Sequence, residues 1–139
     1  MKQIDITQRV QFTCDYLVRS DVGYSIQPCL YTVDVTVRSA QSVDGRVMEF
    51  AELQDLIRAV VPNNKFIVML TDNKIQKLVV PLSDLGVDIE YVSFEICAEN
   101  LCSWIAEMLQ GRLYLTHSNI YVVEVLLNEN GTSTARWRK

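Results

Sequence analysis

The chain predicts an α+β fold, an antiparallel sheet with helices on one face. Three observations carry it. Apolar residues alternate with polar ones over residues 3–18 and again over 30–38, the period of two expected of half-buried strands. Two later stretches, residues 49–61 and 98–110, space their apolar residues as one face of a helix. The segment Ile120 to Asn128 then returns to a strand pattern.

Taken in order, Ile4, Ile6, Gln8, Val10, Phe12 and Cys14 line one side of a first strand. Asp21-Val22-Gly23 is a turn signal, and Tyr31, Val33, Val35 and Val37 line a second strand that closes an antiparallel hairpin ending at Asp44-Gly45. Phe50, Leu53, Leu56, Ile57 and Val60 form a helical stripe stopped by Pro62. Phe66 to Leu70 and Leu78 to Leu82 flank Thr71-Asp72-Asn73-Lys74, and two readings stand: a hairpin, or an extended segment followed by a short helix from Lys74. Ile89 to Ile96 alternates as a strand. The helix from Ala98 to Gln110 presents Leu101, Trp104, Ile105, Met108 and Leu109, and Gly111 stands where a C-terminal glycine belongs. The strongly apolar Ile120 to Asn128 predicts a strand covered on both faces. The sum is a four-stranded antiparallel sheet with two helices, in a single domain spanning residues 1–139.

Bulk properties narrow the function. With 49% hydrophobic and 22% charged residues the chain has globular composition. A net charge of -4, and a basic cluster confined to Arg136-Trp137-Arg138-Lys139, argue against nucleic acid as the partner. No run of eighteen apolar residues is present, which argues against a membrane span. The start Met1-Lys2-Gln3-Ile4-Asp5 lacks a signal-peptide core, so the expected compartment is the cytoplasm. There Cys14, Cys29, Cys97 and Cys102, none of them in a C-x-x-C pair, are expected as free thiols.

Three motifs, in order, give a resemblance. They are Gly45-Arg46-Val47-Met48-Glu49-Phe50, Ala98-Glu99-Asn100-Leu101 and Val125-Leu126-Leu127-Asn128-Glu129. Their order and spacing resemble the 6-pyruvoyl and 6-carboxy tetrahydropterin synthase family, zinc lyases of the tunnelling fold (T-fold), from about Ile6 to Trp137. Glu49 takes the place of the family's aspartate in Gly-x-Val-x-Asp-Phe, and Ala98, Glu99 and Asn100 match its Ser/Ala-Glu-Asn. The family binds Zn²⁺ through one histidine on the first strand and a His-Gly-His pair on the second. By register these fall on Cys14, Gln27 and Cys29, with Pro28 for the glycine. The family's catalytic cysteine falls on Gly23, with Asp21 close by, and its Asp-His relay on Asn63-Asn64. The one histidine, His117, lies before the last strand. Three imidazoles leave an open, Lewis-acidic position; two thiols and an amide do not reproduce it, and buried cysteines pack as small hydrophobes.

Glu129 matches the glutamate that the family uses to anchor a pterin ring through its amino and ring N–H groups, a bidentate charge-assisted contact. Glu99 lines the same region in that reading, and each carboxylate also has a plain role, as turn residue or helix-start residue. The resemblance therefore implies a divergent T-fold protein without the zinc lyase activity and with no cofactor, keeping a pocket for a pterin- or purine-type heterocycle at Glu129 and Glu99. Two alternatives stay open. One is a lyase with an atypical zinc site on Cys14 and Cys29; the other is a purely structural oligomer. The resemblance also implies a homo-oligomer, a trimer or a hexamer of stacked trimers.

Overall fold

The computed structural model describes residues 3–40, 46–70 and 73–139. Strands β1 (Asp5–Ser20) and β2 (Gly23–Ser39) form one long hairpin. It turns at Asp21-Val22, with Gly23 at φ 126°, a conformation open to glycine. The elements that follow are α1 (Phe50–Val60), β3 (Lys65–Met69), α2 (Asn73–Asp84), β4 (Ile89–Val92), α3 (Ala98–Thr116), β5 (Ile120–Glu129) and β6 (Ser133–Arg138). Asp44-Gly45, the expected end of the hairpin, and Thr71-Asp72 lie outside the described residues.

Among the described residues the sheet has six strands rather than four, in the order β4-β3-β1-β2-β5-β6. Its antiparallel part is β1, β2, β5 and β6; β3 and β4 join it in parallel at the β1 side. The expected four-stranded count took residues 89–96 as one of its strands, did not count the open segment that forms β3, and overlooked β6. Parallel strands need a long crossover between them, and α2 supplies it, so the strand-then-helix reading of residues 66–82 is the one the chain adopts. Residues after Val92 leave the sheet to reach α3, and the Asn100 amide donates to the Glu95 carbonyl at 2.8 Å in that connection. In β6 only Ala135 and Trp137 point inward between arginines, which leaves little periodic signal.

Among the described residues there are three helices, and they lie on both faces. Val10, Phe12, Tyr31, Val33, Val35 and Val37 turn to one side, where Leu53 and Ile57 of α1 and Leu101, Ile105, Leu109 and Leu113 of α3 close the main core. α2 packs elsewhere: Ile75 and Val79 cover Phe66 and Val68, with Leu17 and Tyr24 beside them. Strand alternation puts Leu17 and Tyr24 on the side opposite Phe12 and Tyr31. The far side of β5 is half-exposed rather than covered. α3 runs through Gly111 to a cap at His117. A helical glycine costs about 1 kcal/mol, whereas burying Leu113 completely contributes roughly 1.5–3 kcal/mol, so packing wins. At the irregular register between Thr36 and Val37, the Gln110 side chain accepts a bond from the Val122 amide at 2.9 Å. No helix of the described residues is long and apolar enough to cross a membrane.

Candidate functional site

Register brings the expected site residues together. Cys14 lies directly opposite Cys29, Tyr16 opposite Gln27, and Tyr31 opposite Glu129 of β5. Because alternate residues share a face, these six side chains turn to the side of the sheet that carries α1 and α3. The hairpin after β5 fixes Glu129. Asn130 (φ 52°) and Gly131 (φ 76°) take the two left-handed positions of a tight turn that suits Asn-Gly. Asn130 is pinned to Leu30 twice: its amide donates to the Leu30 carbonyl at 2.8 Å and its side-chain oxygen accepts from the Leu30 amide at 2.9 Å.

One carboxylate oxygen organises the cluster. Glu129 Oε1 accepts from the Tyr16 hydroxyl at 3.2 Å and from the Cys29 thiol at 3.5 Å. The same hydroxyl lies 3.4 Å from Gln27 Oε1, and the Asn130 side-chain amide is 3.9 Å from Cys29 Sγ. Tyr31 is wholly buried, its ring stacked on Phe12 at 5.1 Å and 22°. Its hydroxyl has no hydrogen-bond partner among the described residues. The nearby Cys29 sulfur, a weak acceptor, is a group that the hydroxyl influences, favouring its thiolate form.

Among the described residues no cation is paired with Glu129, and burial raises the thiols and phenols around it. Desolvation first, then the neighbouring Cys29, Asp15 and Glu129, pushes the Cys14 thiol up to about 12. Burial raises the Cys29 thiol, opposed by the Tyr16 hydroxyl and reinforced by Glu129. Burial also raises the Tyr16 and Tyr31 phenols, with Cys29 and Glu129 adding to the effect. At neutral pH the thiols and phenols around Glu129 therefore hold their protons.

That donor set does not fit zinc. The positions that resemble the three zinc histidines hold two cysteines and an amide, which do not supply the three neutral nitrogen ligands of such a site. Gln27, at the third position, is exposed and weakly donating. Among the described residues no three of His, Cys, Asp and Glu are grouped closely enough to hold a metal ion.

The remaining candidates have other tasks. Asn63 Oδ1 accepts from the Thr13 amide at 3.1 Å, and the Asn64 amide donates to the Thr13 carbonyl at 2.7 Å, so the pair latches β1. Gly23 pairs with Ser20 at the hairpin turn, beside an exposed Asp21. His117 caps α3 and faces Glu52 of α1 at 2.6 Å. Glu49 precedes α1 and pairs with Arg46; Gly45 lies outside the described residues. Glu99 is exposed in the first turn of α3, next to the Cys97 thiol. Tyr16 and Tyr31 were not singled out from the sequence. The available signal was register, since each stands two residues along its strand from a cysteine of the pair.

The model of the 6-pyruvoyl tetrahydropterin synthase family matches residues 29–139. No protein of curated function matches the chain by sequence. Among solved structures, an uncharacterised protein of Wolinella succinogenes is similar at a TM-score of 0.77 and 19% identity, with 100% of this chain and 99% of that one covered. A catalytic-residue variant of the Plasmodium vivax 6-pyruvoyltetrahydropterin synthase follows at 0.74 and 14%, with 100% and 99% covered. The Plasmodium falciparum enzyme is similar at 0.71 and 15%, with 99% and 98% covered. At such identities the structural likeness carries the fold, while the family model covers most of the chain: this protein belongs to the 6-pyruvoyl tetrahydropterin synthase family.

Proposed function

We propose that this chain is a metal-free member of its family that holds a pterin- or purine-type ring on Glu129 and does not perform the zinc lyase reaction. One observation carries the reading: Glu129 stands fixed at the end of β5, while the positions that resemble the zinc histidines hold two protonated thiols and an exposed amide. A carboxylate is the natural partner of a planar edge bearing two N–H groups. Glu129 binds and orients that edge, the Asn130-Gly131 turn keeps the carboxylate in place, and the buried Phe12–Tyr31 stack makes the sheet beneath it rigid. Neither thiol takes up a proton from substrate at neutral pH, because both already carry one.

The assembly belongs to the same proposal. β3 covers only Cys14–Tyr16 of β1, which leaves the edge of residues 5–12 and the outer edge of β6 free among the described residues. Free edges call for cover, and a homo-oligomer, trimer or hexamer, supplies it. Exposed Glu99 joins the ring pocket in this reading by meeting it across a subunit boundary.

The test is equilibrium binding of 2-amino-4-oxopteridine, followed by its fluorescence, to the protein and to Glu129→Gln. Saturable binding that the substitution abolishes is expected. Absence of binding, or binding that survives the substitution, overturns the reading.

A further inference from the structure

Glu129, the carboxylate proposed above to hold the ring, already has donors within the chain. Both internal donors, the Tyr16 hydroxyl at 3.2 Å and the Cys29 thiol at 3.5 Å, converge on the same oxygen, Glu129 Oε1. A ring edge with two N–H groups needs one lone pair from each carboxylate oxygen, so it has to compete for Oε1. The oxygen–hydrogen donor is the stronger competitor, since a thiol donates weakly. Tyr16 also has a place to go when displaced: Gln27 Oε1 lies 3.4 Å from the same hydroxyl, directly across the hairpin.

Resting on the ring-binding reading above, we propose that Tyr16 is the specificity-determining residue of the pocket. Its hydroxyl occupies Glu129 Oε1 and moves to Gln27 when a ring presenting two adjacent N–H groups arrives, so Tyr16 sets how strongly the pocket prefers a two-donor ring over a one-donor ring. A ligand with one donor uses Oε2, which has no donor among the described residues, and gains nothing from displacing Tyr16. A ligand with two has to displace it, and does so at a cost in affinity.

The experiment compares the protein, Tyr16→Phe and Glu129→Gln, each with 2-amino-4-oxopteridine and with 4-oxopteridine, which lacks the amino donor. Tyr16→Phe removes one partly buried hydroxyl and keeps the ring, and its thermal unfolding serves as the folding control. A hydrogen bond to a charged group corresponds to about tenfold or more in binding. Tyr16→Phe is therefore expected to bind the amino compound about tenfold more tightly, with no change for the compound lacking it. Unchanged or weaker binding by Tyr16→Phe, or an equal gain for both rings, overturns the gate while Glu129-dependent binding still stands. Absence of Glu129-dependent binding in the protein and in Tyr16→Phe overturns the gate together with the ring site.

Discussion

Replacing Tyr31 by phenylalanine should stabilise the ligand-free protein. The Tyr31 side chain is 0% exposed and its hydroxyl finds no hydrogen-bond partner among the described residues. Leaving a buried hydroxyl unsatisfied costs about 1–3 kcal/mol in proteins. Phenylalanine removes that oxygen and retains the stack on Phe12, so no contact of consequence is lost. The expected gain is about 1–2 kcal/mol. With a urea slope of roughly 1–3 kcal/mol per molar for a small protein, this moves the unfolding midpoint by about 0.5–1 M. Thermal unfolding should shift upward by roughly 2–4 °C per kcal/mol. Protein and variant are compared at one protomer concentration, because assembly makes both midpoints concentration-dependent. A loss of 1 kcal/mol or more in Tyr31→Phe would refute the reasoning, since it would mean that the hydroxyl has a partner in the assembled protein.

Other perturbations have defined signs. Gly111 lies inside α3, is exposed, and an added methyl group would meet nothing within 4 Å. Gly111→Ala should therefore stabilise by about 0.5–1 kcal/mol in urea titrations; a loss would show that the site is covered in the assembly. The Cys14 thiol titrates near 8.5 when unfolded and is pushed up to about 12 in the fold. The unfolded chain then binds fewer protons across that window, so the contribution of this group is fully present below about pH 8.5 and is lost as pH rises toward 12. Cys14→Ala should flatten this alkaline decline in urea midpoints measured from pH 8 to 11; an unchanged slope would contradict the burial argument.

The legible parts of the fold were those in which one face is buried and the other wet. β1 and β2 alternate because only one side meets α1 and α3, and the α1 stripe ends at the proline the sequence offers. The parallel strands were less legible. Phe66, Ile67 and Val68 are all buried, since α2 packs on the face opposite α1, and a short continuous apolar run has no period from which to choose between hairpin and crossover. β6 was missed although Asn130-Gly131 announced a hairpin, because its arginines pair outward with Glu124 and dilute the alternation. The end of α3 was missed because Gly111 reads as a stop, and only the burial of Leu113 shows that it is not.

At the site, the family resemblance is what singles out Cys14, Gln27, Cys29 and Glu129, and the hairpin reading puts only Cys14 and Cys29 face to face; the pairing of Cys14 with Cys29 and of Tyr31 with Glu129 brings all four to one face within the chain. The partners of Glu129 were not legible. A tyrosine two residues from a cysteine is commonplace in a strand, and its meaning depends on the turn that swings Glu129 under it.

The most direct test of the account is the zinc content per chain of untagged protein purified without added metal. The account predicts no stoichiometric zinc, with assembly and urea stability unaffected by a chelator, because the Tyr16–Glu129–Cys29 hydrogen bonds occupy the site. Zinc near one ion per chain, lost on replacing Cys14 or Cys29, would contradict it and return lyase chemistry to this pocket.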